Sequence, residues 1–266
     1  MLLPAAKLAL APLLLLQGRR VRQLALRLPE AAGEREAMPA DGVAALRLLI
    51  VGDSATAGVG AAHQREALAG CLAERLAERL PARSGGLHWR LVAQSGATTA
   101  DALSLLEAEA VQPAGRPFRA DLAVLAVGVN DVTGQVPIRR WLQRMELLAR
   151  RVEQVHGARL LVVSGLPPMH LFPALPQPLR WYLGACAKRY DRALRRWAGR
   201  RPRTVFVPLP EMRDPAMMAV DGFHPGPPAY RLWAQALASE IASAGGLGLI
   251  GPGRRAPAGE SAPPPA

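Results

Sequence analysis

The chain has 266 residues, half of them hydrophobic, a formal net charge of +12 and two cysteines, Cys71 and Cys186. That length suits one large domain that buries its own core, and two cysteines so far apart exclude a disulfide-built scaffold or a zinc ribbon. Arginine carries nearly all the positive charge, lysine occurring only as Lys7 and Lys188, and no RNA-binding or zinc-finger pattern accompanies it, so nucleic acid is not expected as a partner.

Residues 1–27 begin with an apolar run interrupted by Pro4 and Pro12 and followed by Arg19, Arg20 and Arg22. No small-x-small cleavage site follows directly, and sixteen helical residues reach only about 24 Å, short of a hydrocarbon core of about 30 Å. Two readings stand: a membrane-interface anchor with basic flanks, or an apolar arm packed on the domain. The expected location is accordingly cytoplasmic, either free or peripheral to the inner membrane. Residues 28–45 are polar, small and proline-containing and read as a linker, and residues 246–266 read as a disordered, low-complexity tail.

Between them, residues 46–245 alternate apolar runs with amphipathic stretches. The runs at 46–51, 88–93, 121–127, 158–164 and 204–208 are short and continuous, as in strands covered on both faces. Leu68, Leu72, Leu76 and Leu80 recur one helical turn apart ahead of Pro81, and Ile138, Trp141, Met145, Leu148 and Val152 do so after Pro137. Strand–helix alternation repeated five times predicts a parallel sheet in an α/β sandwich. Ligands of such sheets sit beyond the carboxyl ends of the strands, so the loops that follow them are where chemistry is sought.

Four of those loops carry suitable groups. After the first strand comes GDSATAG, with Ser54 in a tight turn; it lacks the lysine of a phosphate loop, and Thr56 stands where a nucleophile elbow has its second glycine. After the second comes QSGATTA, where Gly96 is either a plain turn or a backbone N–H open to an anion. After the third, Asn130 and Asp131 either cap a helix or supply an amide donor to an oxyanion. Near the carboxyl end, Asp221 and His224 lie three apart around Gly222, close enough for the carboxylate to orient the imidazole. Each of these has a bland structural reading when taken alone.

Taken together, in this order, they resemble the four blocks of the SGNH (GDSL-type) hydrolases: Gly52-Asp53-Ser54, Gly96, Gly128-x-Asn130-Asp131 and Asp221-x-x-His224. Alanine replaces the leucine that the family name expects after the serine. The resemblance spans roughly residues 46–243 and implies a three-layer α/β/α sandwich, flavodoxin-like, with a five-stranded parallel sheet. It also implies the roles: Ser54 as nucleophile, His224 as base oriented by Asp221, and an oxyanion hole formed by the Ser54 and Gly96 N–H groups with the Asn130 side chain. Asp53, beside the nucleophile, is expected to order the turn by accepting backbone hydrogen bonds.

The implied activity is that of a serine esterase cleaving carboxylic esters or thioesters through an acyl-enzyme, with lysophospholipids among its substrates; an O-acyltransferase or a carbohydrate deacetylase would use the same triad. The partner is then a small-molecule ester or thioester, with a membrane surface as a second. No cofactor and no metal are called for. The proline-rich segment 165–184 supplies Met169, Leu171, Phe172 and Trp181 as a candidate acyl wall suited to short or medium chains, with His170 placed to line the same cleft. His63, His88 and His156 read as solvated or structural.

Overall fold

A computed structural model of the protein describes residues 2–81, 85–111, 117–249 and 254–255. Seven helices of α type are present among them: α1 (Leu2–Leu24), α2 (Leu68–Ala77), α3 (Thr99–Ala110), α4 (Val129–Thr133), α5 (Ile138–Arg151), α6 (Leu179–Ala198) and α7 (Pro227–Ser243). The strands are β1 (Glu36–Ala37), β2 (Val43–Gly52), β3 (Gly86–Ala93), β4 (Leu122–Ala126), β5 (Leu160–Ser164), β6 (Thr204–Val207) and β7 (Arg254–Arg255).

The five long strands are parallel neighbours in the order β3-β2-β4-β5-β6. Counting only these, the order is 2-1-3-4-5, that of doubly wound flavodoxin-like sheets, whose order reverses beside the first strand. β4 and β5 are buried at every position, as expected of strands covered on both faces. One core cluster gathers residues of α3, α5 and α6 with Leu14 of α1, and the other gathers residues of α2 and α7. These are the three layers, helices–sheet–helices.

At the entry to β4, the Asp121 carboxylate accepts from the Arg47 backbone N–H at 3.1 Å, from its Nε at 3.2 Å and from its Nη2 at 3.1 Å. This fork locks the register of β2 against β4, and the two strands then run together to Gly52 and Ala126.

The segment 28–45, expected as a linker, is folded onto the domain over part of its length. Ala31 is buried, Glu36–Ala37 adds an antiparallel edge to β3, and β2 already begins at Val43. The physical reason is charge pairing that composition does not display: Glu36 accepts from Arg90 and from His88 Nε2, the latter at 2.7 Å. Of the expected disordered tail, Gly246–Leu249 forms a short 3-10 turn and Arg254–Arg255 pairs antiparallel with Val43–Ala44; the rest of the tail lies outside the described residues.

At the end of β2, Gly52 has no room for a side chain. A Cβ there would stand 2.0 Å from Thr56 Oγ1 and 2.5 Å from the Ala126 carbonyl oxygen. Gly52→Ala is therefore expected to destabilise the fold by roughly 1–3 kcal/mol or more through overpacking. Urea denaturation would measure it, and a variant as stable as the parent would contradict the close approach.

Candidate active site

The turn after β2 is held by contacts to the neighbouring strand end. Thr56 Oγ1 donates to the Ala126 carbonyl at 2.9 Å, so the threonine that stands in place of an elbow glycine is a brace between the ends of β2 and β4. Asp53 accepts from the Ala55 N–H at 3.2 Å and also from the Gly128 N–H, the accepting role expected of it. The Ser54 side chain, half-buried, is thereby presented at the sheet's topological switch point.

The fourth loop arrives from the other end of the chain. Gly222 at φ +67° makes its bend, and the Asp221 Oδ1 accepts from the Phe223 and His224 N–H groups, each at 3.0 Å. The second carboxylate oxygen meets His224 Nδ1 at 2.6 Å, and His224 Nε2 lies 2.8 Å from Ser54 Oγ. A tautomer with the proton on Nδ1 donates to Asp221 and leaves Nε2 to accept from the serine hydroxyl. Burial alone would push the Asp221 carboxyl up, but the hydrogen bonds from His224 and the two backbone N–H groups outweigh it and hold it below the ordinary carboxylate range.

The Ser54 and His224 loops are held together by backbone contact. Gly60, at φ +100°, brings its Cα so near the Pro225 carbonyl that a Cβ would stand 2.3 Å from that oxygen. Tyr230, on the first turns of α7, donates its hydroxyl to the Val59 carbonyl at 2.6 Å.

Asn130 stands at the start of α4, whose N-cap is Gly128 at φ +136°. Its Nδ2 donates one hydrogen to the Ala97 carbonyl at 2.9 Å, which ties it to the loop that carries Gly96. Gly96 itself is at φ +81° with open space around the position of a Cβ, on the exposed rim. Ser54, Asn130 and His224 line one cavity, whereas Gly96 is joined to the group through Asn130 rather than lining that cavity.

Asp131 acts behind these donors. Fully buried, its Oδ2 accepts from both the Thr99 N–H and the Thr99 hydroxyl at 2.8 Å, and Arg144 approaches its Oδ1 at 3.5 Å. Trp141 Nε1 donates to the same threonine hydroxyl at 3.0 Å. The carboxylate thus clamps the Gly96 and Asn130 loops together. A helix cap or an oxyanion donor is as far as the Asn-Asp pair leads in the sequence, and the clamp is not legible there because Thr99 and Arg144 carry no motif of their own; the cap of α3 is Thr98.

The cavity encloses about 540 Å³. Met169, Leu171 and Phe172 line it as expected, joined by Leu166, Leu175, Leu179, Leu183 and Phe223. Trp181 does not: it is 47% exposed, because the helical phase of α6 turns Leu179, Tyr182 and Leu183 inward and Trp181 outward. His170 is likewise absent from the wall. The unforeseen part of the lining is α1, which contributes Ala11, Leu14, Gly18 and Val21. Among the described residues no group of three His, Cys, Asp or Glu side chains is placed to hold a metal ion.

The sequence profile of the GDSL-like lipase/acylhydrolase family matches residues 50–232. No curated protein matches the chain closely enough to count as a relative. Among solved structures, the lipase Lip_vut3 from a goat rumen metagenome is similar at 17% identity and a TM-score of 0.56, covering 75% of this chain and 97% of its own. The psychrotrophic esterase EstA from Pseudoalteromonas sp. is similar at 16% identity and 0.55, covering 74% and 97%. A catalytic mutant of Axe2, an acetylxylan esterase from Geobacillus stearothermophilus, is similar at 17% identity and 0.54, covering 74% and 94%. At these identities the likeness speaks for the fold.

Burial pushes the Asp53 carboxyl up to about 7, against the pull of the Ala55 and Gly128 N–H groups and of His224. A carboxyl raised in the folded state favours folding fully below its unfolded pKa of about 3.9, and that contribution is lost as pH rises through about 7. Asp53→Asn, which does not ionise, is expected to gain on the parent by an amount on the order of 4 kcal/mol between about pH 4 and pH 8. Paired urea titrations read this difference; one that stays flat with pH would mean that Asp53 is ionised throughout.

Proposed function

The chain belongs to the GDSL-like lipase/acylhydrolase family, and from that membership we propose that it hydrolyses carboxylic esters or thioesters with Ser54 as nucleophile, His224 as general base and Asp221 as the group that orients it. The observation that carries the proposal is the continuous hydrogen-bonded chain Asp221–His224–Ser54, with links of 2.6 and 2.8 Å, opening on an apolar cavity.

The proposed reaction runs through those contacts. Ser54 Oγ attacks the substrate carbonyl while His224 Nε2 takes its proton, and Asp221 stabilises the imidazolium. The carbonyl oxygen becomes an oxyanion, and the receivers we assign to it are the Ser54 N–H and the second hydrogen of Asn130 Nδ2, with the Gly96 N–H reaching in from the adjoining rim. Collapse expels the alcohol or thiol with the proton held by His224. Water, deprotonated by the same imidazole, then attacks the acyl-serine, and the acid departs as Ser54 recovers its hydrogen.

The cavity bears on the acyl group. Its wall is formed of aliphatic and aromatic side chains, and its volume of about 540 Å³ far exceeds what an acetyl group fills. We therefore assign to the site the acyl chains of amphiphilic esters, lysophospholipids among them, in preference to carbohydrate acetates, and a membrane surface as the setting in which such substrates are met.

A fluorophosphonate probe should label the parent protein and fail to label Ser54→Ala. Loss of Ser54 or His224 should lower turnover roughly 10⁴–10⁶-fold. Across a series of p-nitrophenyl esters, kcat/KM should rise from acetate towards octanoate, since each buried methylene contributes about 0.8 kcal/mol. Fastest turnover on acetate, collapsing by butyrate, would reverse the choice in favour of deacetylation, while an unlabelled parent would remove the proposed nucleophile.

A further inference from the structure

The amino-terminal helix lies outside the segment matched by the family, residues 50–232, yet it supplies one wall of the cavity. Its two sides differ in what they meet. Leu14 is buried in the core cluster, with Leu3, Leu10 and Val21 packed against it, and Ala11, Gly18 and Val21 face the cavity. The opposite side is largely exposed. Leu8 and Leu16, on one helix face two turns apart, are 79% and 65% exposed.

Exposed apolar residues are common singly, but these are not scattered. Ten large hydrophobic side chains are exposed among the described residues, and six of them, Leu8, Leu13, Leu15, Leu16, Leu24 and Leu26, fall in and just after α1. A seventh, Val220, precedes the triad carboxylate and shares a second depression of about 600 Å³ with Leu24 and Leu26. An apolar patch so concentrated marks an interaction surface. Charge indicates the partner: residues 1–29 hold Lys7, Arg19, Arg20, Arg22 and Arg27 and no acidic residue, Glu30 being the first. No helix among the described residues is long and apolar enough to cross a membrane. Leucines bordered by arginines, on a helix that does not span, are the composition of an element lying in the plane of a lipid interface.

We propose that α1 docks the protein on an anionic phospholipid surface through Leu8, Leu16, Arg19 and Arg20, so that the acyl chain of a membrane-borne ester passes along the inner side of the same helix to Ser54. The docking is independent of the chemistry; the delivery of substrate rests on the esterase reading above. Leu15, 61% exposed and also on the cavity wall, marks where the lipid-facing side and the cavity join. Lys7 and Arg22, on the same wall, stand beside that opening with charges that suit the phosphate of a monoacyl phospholipid.

The test is flotation of the full-length protein with large unilamellar vesicles of phosphatidylcholine, alone or with one quarter phosphatidylglycerol. The parent and Ser54→Ala should both float with the anionic vesicles, at least tenfold more than with neutral ones, and 0.5 M salt should release much of each. Leu8→Ser/Leu16→Ser and Arg19→Glu/Arg20→Glu should each float at least fivefold less, while hydrolysing dissolved p-nitrophenyl acetate within about twofold of the parent. Turnover of a lysophosphatidylglycerol embedded in those vesicles should fall with flotation. Equal flotation of parent and variants, equal flotation on neutral vesicles, or none at all would overturn docking through α1. Variants that lose flotation but keep full turnover of the embedded ester would overturn delivery. A parent that floats as described but hydrolyses no ester would leave the docking standing and the esterase reading refuted.

Discussion

The site depends on one backbone contact, the seating of Gly60 against the Pro225 carbonyl. Ser54 and His224 are 170 residues apart, and neither strand order nor helix packing alone brings a hydroxyl and an imidazole to 2.8 Å. The turn after β2 must lie against the loop before α7 with no side chain between them, in a conformation at φ +100° that favours glycine. Tyr230 then closes the contact from the far side by donating to Val59. The chemistry proposed for this site requires that these two turns remain in contact.

Around that contact the structure handles carboxylates in different ways. Asp221 is buried with three N–H donors converging on it, and the donors hold its charge in place. Asp53, one residue from the nucleophile, is buried without a comparable set of partners, and its charge is disfavoured near neutral pH. Asp53 serves the turn through its accepting oxygens and leaves the orienting of His224 to Asp221.

Much of this was legible in the sequence, and the reasons are particular. The runs at 46–51 and 121–127 announce β2 and β4 because strands covered on both faces need no alternation. The four blocks announce the site because each falls in a loop after a strand or just before the last helix, where glycine, asparagine and histidine have no role in the core. What escaped reading depends on partners distant in sequence. Nothing near Glu36 foretells that Arg90 and His88 will hold it as an edge to β3. Nothing near Asp131 foretells Thr99 and Arg144. Composition alone places Trp181 on the pocket wall, whereas a phase difference of one residue along α6 decides between wall and solvent. The amino-terminal sequence fits an anchor and a packed arm equally, because both readings need the same leucines.

Docking through α1, as proposed above, would remove that opposition between anchor and arm. A helix whose leucines all faced one way would have to choose between core and lipid; α1 carries Leu14 inward and Leu8 and Leu16 outward, so it can serve both. Its placement over the cavity also separates two demands on the protein. The parallel sheet and its loops hold groups whose positions tolerate errors of only tenths of an ångström, and they lie within the segment shared with the family. Recognition of an acyl chain is non-directional and scales with apolar area, so it can be supplied by an added helix that needs only to pack. Specificity for the chain and its setting can therefore change at the amino terminus without disturbing the contact between Gly60 and Pro225 on which the chemistry stands.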